Sequence, residues 1–244
     1  MAFSGTIQFG NSAIFYCAIR RSRRQTFSVI LDPEEGVIVL VPLDASDKEI
    51  GEIVRRKAVW ILRHQSLLAS LRRRYARRYI SGESYLYLGR HYQLLARRLT
   101  AERDSPVRLN QGKFIVDVPR NIDAERKSMW ISRALQDWYV AKSHNRFPEI
   151  VERWVPKVGA VPNQVFIRDQ RKRWGSCDSQ GNLRLNWRLV MAPVSLIEYV
   201  IVHELCHLHI RDHSEDFWSM LKALMPDYES RRDRLRLSGP MFTL

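Results

Sequence analysis

Two histidines four residues apart, with a glutamate beside the first, stand in the segment His203-Glu204-Leu205-Cys206-His207. On an α-helix, residues four apart lie one turn above each other, so both imidazoles can reach one metal ion at about 2.0–2.1 Å. Glu204 projects beside that face and can accept a proton from a metal-bound water without binding the metal. The apolar residues 196–202 bury the same helix and hold the ligands rigidly. The pattern predicts a single-zinc hydrolase with Glu204 as its catalytic residue.

A catalytic zinc normally takes three protein ligands and a water, so a third ligand is needed. His213 follows His207 by six residues, and an uninterrupted helix would carry it some 120° away from the ligand face. We therefore predict that the helix ends between His209 and Asp212, and that Asp212 and Glu215 form the capping box of the next helix. His209 is the rival third ligand, but it is two residues from His207 and faces away on the same helix. His213 is the favoured ligand.

A second cluster precedes this helix, with RKRWGSC at 171–177 and LNWRL at 185–189. The pattern RxRWGSCxSxGxxxLNWRL, followed by YVIVHELCHL and HSEDFW, resembles the YgjP-like metallopeptidase family, whose relatives are the SprT and Wss-type zinc proteases. The resemblance is strong over 160–225 and weaker in the N-terminal half. It implies one zinc per chain on His203, His207 and His213, with Glu204 catalytic and a peptide or protein as substrate. The hairpin would then lie beside the cleft and align an extended peptide by strand addition.

The charge of the chain is strongly positive, at +14, and nine of these net charges fall in the first hundred residues, where 17 Lys or Arg face 8 Asp or Glu. A basic N-terminal half suggests nucleic acid, a nucleotide or an acidic membrane surface as a partner. The densest basic segment, RRRYARRY at 72–79, would supply phosphate neutralisation and base stacking. It equally fits a charged, solvated helix end. Its arginines are Arg72, Arg73, Arg74, Arg77 and Arg78.

Two other functions stay open at this point. The first is a metal-dependent nucleoside triphosphate pyrophosphohydrolase, although the chain has no P-loop and phosphate sites usually combine carboxylates with Mg²⁺. The second is a nucleic-acid-associated protein with a structural metal, although such a site usually has four protein ligands and does not need Glu204. The donor that would stabilise an oxyanion is not identified, and the candidates by sequence proximity are Arg173, Tyr199 and His209.

The remaining patterns predict an α+β fold in two parts. The first, 1–120, is a basic, β-rich region with a mostly antiparallel sheet. It also contains a long helix over 46–79, or two helices in series there, started by a capping box of Ser46 and Glu49. The second, 121–244, is a zincin-like metallopeptidase domain. The predicted strands are 6–9, 14–20, 26–31, 36–41, 85–88, 91–97, 107–110, 114–118, 164–168 and 183–189, the last two antiparallel to each other. The other predicted helices are 123–147, 195–210 and 214–224.

The cysteines and the hydropathy place limits on the cellular setting. Cys17, Cys177 and Cys206 are few, odd in number and widely spaced, so they form no disulfide framework. Cys206 should face the packing side of its helix, about 100° from His207. No run of about 18 apolar residues exists, which predicts no membrane span and a cytoplasmic protein.

Overall fold

Four strands and two helices form the first of two compact units. A computed structural model describes residues 2–22, 25–32, 36–75, 77–98, 106–170 and 172–244, and the chain divides into Met1–Ala76 and Arg77–Leu244. The strands are β1 Ala2–Phe9, β2 Ser12–Arg21, β3 Ser28–Asp32 and β4 Gly36–Pro42, in the order β1-β2-β4-β3. The outer pairs are antiparallel, and β2 and β4 are parallel. The sheet is therefore mostly antiparallel, as predicted, and its central pair is parallel.

The predicted long helix over 46–79 is two helices, α1 Asp47–Arg56 and α2 Ala58–Tyr75. Ser46 begins α1 with the predicted capping box. Lys57, with φ −94° and ψ 2°, departs from helical geometry and separates the two helices. Their apolar faces still share one core with the sheet, through Ile50, Val54, Ala58 and Ile61.

The second unit begins with another four-stranded sheet. Its strands are β5 Ser84–Tyr87, β6 Arg90–Arg98, β7 Val107–Asn110 and β8 Lys113–Val118, in the order β5-β6-β8-β7. The outer pairs are again antiparallel and the central pair parallel, so the topology of the first sheet is repeated although no repeat is visible in the sequence. The boundary predicted from the sequence, between residues 120 and 121, falls between β8 and the next helix.

That next helix, α3 Ala124–Val158, is longer than predicted. The sequence prediction ended it at about 147. Pro148 follows, and a proline inside a helix removes a hydrogen bond and crowds the preceding turn. The helix continues because it is buried on both sides of Pro148, by Phe147 before it and by Ile150 and Val151 after it. Burial of such side chains contributes about 1.5–3 kcal/mol each, which offsets the cost of one proline. Gly159, with φ 75°, ends the helix.

The rest of the unit surrounds a small three-stranded sheet. Its strands are β9 Val165–Arg168, β10 Gly175–Cys177 and β11 Leu183–Asn186, in the order β10-β11-β9. The prediction that the strands at 164–168 and 183–189 are antiparallel is wrong: β9 and β11 are parallel, and β10 forms the antiparallel hairpin with β11. A 3₁₀ turn over Trp187–Met191 follows, then α4 Val194–Cys206, α5 Glu215–Leu224 and α6 Tyr228–Ser238.

Arg77 has a structural role, which differs from the one suggested for the basic segment at 72–79. Its guanidinium donates to the carbonyl oxygens of Ser84 (2.8 Å) and Thr243 (3.4 Å) and stacks on Tyr85 at 4.6 Å. Its side chain is 14% exposed, so it is not available to a phosphate backbone. The side chains of the arginines at 72–74 lie outside the described residues.

The described part of the chain is a mixed α+β structure with several sheets and six α-helices, as the sequence predicts. None of these helices combines the length and the apolar character needed to cross a bilayer.

Candidate metal centre and active-site cleft

Helix α4 carries the first histidine and the glutamate in a buried environment. Almost all of its residues from Leu196 onward are buried, so the helix is fixed by packing on several sides. Cys206 is fully buried, as predicted for the packing side. The regular helix ends at Cys206, four residues earlier than predicted, and His207 is its C-cap. The amides of His209 and Ile210 both donate to the carbonyl of Cys206 at 3.0 Å, which turns the chain away.

Three imidazoles converge beside the end of α4. One ring nitrogen from each of His203, His207 and His213 lies within 4.8 Å of the other two. Nε2 of His203 is 3.1 Å from Nε2 of His213. Ligand nitrogens of a tetrahedral zinc at about 2.0–2.1 Å are separated by about 3.3–3.4 Å, so this spacing is close to that of a metal site. Among the described residues, no other cluster of His, Cys, Asp and Glu offers such a site.

His207 and His203 each have a ring nitrogen that is available to bind a metal ion. Nδ1 of His207 lies 2.9 Å from the carbonyl oxygen of Ile210, a bond that requires its proton on Nδ1 and leaves Nε2 as the free donor. Burial lowers the pKa of His203 to about 3, assisted by the neighbouring His207 and His213, so its ring is neutral as metal binding requires. Nδ1 of His203 is buried without a hydrogen-bond partner in the described structure.

Aromatic rings of α5 hold the three imidazoles in place. Phe217 is fully buried and stacks on His207, with 4.5 Å between centroids, and it contacts His203 and His213 edge-on. Trp218 stacks on His213 at 5.5 Å and donates from its indole nitrogen to the His213 carbonyl. An apolar wall of this kind excludes water and strengthens electrostatic interactions within the site.

The predicted capping box of Asp212 and Glu215 is wrong. Ser214 is the N-cap of α5 and makes no side-chain capping bond. The Asp212 carboxylate instead accepts the amide of Ser214 at 3.1 Å. The short turn from Ile210 to Ser214 thereby brings His213 back to the ligand face that the helix itself could not reach. The rival ligand His209 points elsewhere, with Nε2 3.0 Å from the carbonyl oxygen of Val158 at the end of α3.

Glu204 lies beside the histidines and is only 6% exposed. Burial raises its pKa to about 7, and this effect is partly offset by the charge of Arg173 and by the backbone amide of Cys177, which donates to the carboxylate. Strand β10 therefore supplies one side of the environment of Glu204. Gly175 packs so closely that a Cβ atom there would lie 2.7 Å from both Cγ and Oε1 of Glu204.

We predict that Gly175→Ala displaces the Glu204 carboxylate, because a Cβ contact under 3.0 Å is not tolerated and the glutamate side chain is freer to move than the paired strand. Peptide hydrolysis should fall at least roughly tenfold, which corresponds to about 1.4 kcal/mol in the barrier. Metal content should be unchanged. Ser176→Ala is the matched control, since successive strand residues point to opposite faces. Full activity of Gly175→Ala would show that the contact does not position Glu204.

Asn186 fixes the loop that leads into β10. Its side-chain amide donates to the carbonyls of Gln170 (2.6 Å) and Arg173 (3.3 Å), and its backbone amide donates to the carbonyl of Trp174. From the sequence, Asn186 was identified only as part of the LNWRL motif, and no role was assigned to it. A lone asparagine at the end of an apolar strand is the signal that it serves the backbone of a neighbouring loop.

A cleft of about 320 Å³ opens beside Glu204 and His203. Its other lining residues are Arg173, Trp174, Gly175, Tyr199, Val200, Arg232, Leu235 and Arg236. Two of the three candidate oxyanion donors, Tyr199 and Arg173, therefore line the cleft, whereas His209 does not. Burial raises the pKa of Tyr199 to about 12, so its hydroxyl stays protonated and can donate.

Helix α6 forms a wall of this cleft that the sequence analysis did not foresee. Tyr228, Arg232, Leu235 and Arg236 recur at spacings of three and four residues and share one helix face. Tyr228 stacks on Trp218 at 5.5 Å, and Leu235 is buried. The spacing of three and four residues can be seen in the sequence, but its significance depends on knowing which element the helix packs against.

A cluster of three histidines with an adjacent buried carboxylate beside an open cleft is the arrangement of a metal-dependent hydrolase. The chain matches the family model described as YgjP-like, metallopeptidase domain, over residues 25–238, and so belongs to that family. The resemblance seen in the sequence is thereby confirmed. Metallopeptidases of this kind require a catalytic metal, and the three-histidine group is suited to hold one.

Two solved structures of metallopeptidase zymogens are similar to part of the chain. Abylysin of Pyrococcus abyssi is 21% identical, with 36% of this chain and 90% of that chain covered and a TM-score of 0.35. Jannalysin of Methanocaldococcus jannaschii is 24% identical, with 37% and 92% covered and a TM-score of 0.33. No curated protein matches the chain.

Proposed function

We propose that the protein is a zinc-dependent metallopeptidase of zincin-like architecture, with His203, His207 and His213 as ligands and Glu204 as the general base. The observation that carries the proposal is the convergence of three imidazoles on one point beside a buried carboxylate, in a chain of a metallopeptidase family. Three imidazoles suit zinc better than the oxygen-preferring Mg²⁺ or Ca²⁺. Bound there, zinc would supply Lewis acidity toward the scissile carbonyl and toward a water molecule.

The residues of the chain perform the proton transfers. Glu204 faces the cleft beside the ligands, where its carboxylate takes a proton from the attacking water and returns it to the leaving amine. The amide of Cys177 orients that carboxylate, and Gly175 keeps it from turning away. Tyr199 and Arg173 are the proposed donors to the oxyanion, since both line the cleft.

Strand β10 is the proposed docking edge for substrate. It lies at the edge of its sheet, in the order β10-β11-β9, and its Gly175 contacts Glu204. An extended peptide that pairs with this edge would run past Glu204. This supports a peptide or protein as substrate.

Nucleic acid as a partner, expected from the basic N-terminal half, has no support from the family, and Arg77 is engaged within the protein. Nucleoside triphosphate pyrophosphohydrolase activity remains the alternative function, and the functional test must distinguish it from peptidase activity. A cytoplasmic location stays a prediction from the sequence.

We expect purified protein to contain about one zinc per chain and to cleave a mixture of unstructured peptides. A chelator should abolish cleavage, and zinc should restore it, because the ligands are deprotonated imidazoles that bind zinc reversibly. The measurements are metal analysis, mass spectrometry of the peptide products and phosphate release from a nucleoside triphosphate. Chelator-sensitive triphosphate hydrolysis without peptide cleavage would refute the proposal.

A further inference from the structure

The cleft beside Glu204 is lined by three guanidinium groups. Arg173 comes from the loop before β10, and Arg232 and Arg236 lie one turn apart on α6. The acidic member of the same lining is Glu204, which is buried. The lining of this cleft therefore carries three positively charged side chains and one carboxylate.

These arginines are poorly neutralised by the protein itself. In the described part of the chain, no carboxylate forms an ion pair with Arg173 or Arg232. Arg236 has one, Asp233, at 3.8 Å, and both side chains are largely exposed. On the same helix, Arg231 is flanked by Asp227 at 2.9 Å and Glu198 at 3.6 Å, whereas Arg234 forms no ion pair among the described residues. Arg232 therefore differs from Arg234 by lining the cleft and not by lacking a carboxylate partner.

Arg232 is held toward the cleft by an aromatic contact. Its guanidinium carbon lies 5.7 Å from the ring centroid of Trp218, the ring that also stacks on His213. A guanidinium on an aromatic face keeps its N–H groups free at the edges, where they can form a bidentate pair with a carboxylate. The apolar surfaces of Trp174, Val200 and Leu235 lower the local dielectric and strengthen such a pair.

We propose that Arg173, Arg232 and Arg236 select substrates that carry a carboxylate within a few residues of the scissile bond. The inference rests on the proposed peptidase function and gives it a substrate class: acidic peptides. The carboxylate has two sources, an Asp or Glu side chain or the free C-terminus of a short peptide. Lysine at the same place is disfavoured, because the positive charges of these arginines repel it.

The test compares the zinc-loaded full chain on matched peptides that differ only near the cleavage site. One has Glu, one Gln and one Lys, all with amidated C-termini, and a fourth is the Gln peptide with a free C-terminus. We expect kcat/KM for the Glu peptide to exceed that for the Gln peptide roughly tenfold, in the range of a hydrogen bond to a charged group. The ratio should shrink at high salt because the arginines are partly exposed. A gain confined to the free C-terminus would identify that carboxylate as the source.

The variants identify the residues responsible. Arg232→Gln and Arg236→Gln should each lower the Glu-to-Gln ratio, and the double variant, which keeps Arg173, should lower it further. Arg232→Glu should reverse the preference toward the Lys peptide. Arg234→Gln is the matched control, because Arg234 lies on the same helix, carries the same charge and does not line the cleft.

Two outcomes overturn the inference in distinguishable ways. If peptides are cleaved with no acidic preference, or if the double variant leaves the preference undiminished, the arginines of α6 do not select substrate and the peptidase function stands. If no peptide is cleaved but a nucleoside triphosphate is hydrolysed in a manner that depends on Arg232, the three charges serve a phosphate chain. That result removes both the acidic-peptide class and the proposed function.

Discussion

Glu204→Gln is expected to lower kcat for peptide hydrolysis by roughly 10²–10⁴-fold, the usual contribution of a general base. The amide cannot accept the proton of the attacking water, but it keeps the size of the side chain and an oxygen that can still receive the Cys177 amide. The variant should therefore fold normally and retain one zinc per chain. Single-turnover cleavage, metal analysis and thermal unfolding measure the three properties.

The matched control is Glu198→Gln, which makes the same chemical change on the same helix. Glu198 pairs with Arg153 and Arg231 and does not line the cleft, so this variant should lose some stability and keep its activity. A Glu204→Gln protein with normal zinc and wild-type kcat would exclude Glu204 as the base.

His213→Ala is expected to weaken zinc binding by about 10²–10³-fold. Zinc sites with four protein ligands bind with about 10–16 kcal/mol, or roughly 3–4 kcal/mol per ligand, and one lost ligand removes about that amount. Hydrolysis should fall in parallel and recover partly at high zinc concentration. Competition with a chromophoric chelator measures the affinity.

His209→Ala separates the two candidate third ligands. His209 bonds to the Val158 carbonyl at the end of α3, so its loss should cost stability and leave zinc affinity unchanged. If His209→Ala released the metal and His213→Ala kept it, the ligand assignment would be wrong.

The convergence of His203, His207 and His213 was largely predictable because its determinants are local. His203 and His207 are one helical turn apart, and six further residues suffice for a turn that returns His213 to the same point. The capping residue of that turn was not predictable, because Asp212 and Ser214 are both good caps and only the geometry of the chain decides between them.

The non-local features could not be read from the sequence. Parallel and antiparallel strands share the same alternation, so nothing in Val165–Arg168 distinguished its parallel pairing with β11 from an antiparallel one. Pro148 favoured a helix end, but the core on either side of it determined the outcome. Likewise, the charges of Arg232 and Arg236 were visible, whereas the cleft that they face exists only once α6 packs against α4.

The contact between β10 and Glu204 makes the position of this carboxylate depend on an element that carries none of the three histidines. The three proposed ligands lie between His203 and His213, so α4 and the turn after it are enough to bring them together. The burial and orientation of Glu204 depend on Gly175 and the Cys177 amide, which belong to a different part of the chain. The three histidines and the carboxylate therefore depend on different elements, so a change confined to β10 would displace Glu204 and leave the histidines together.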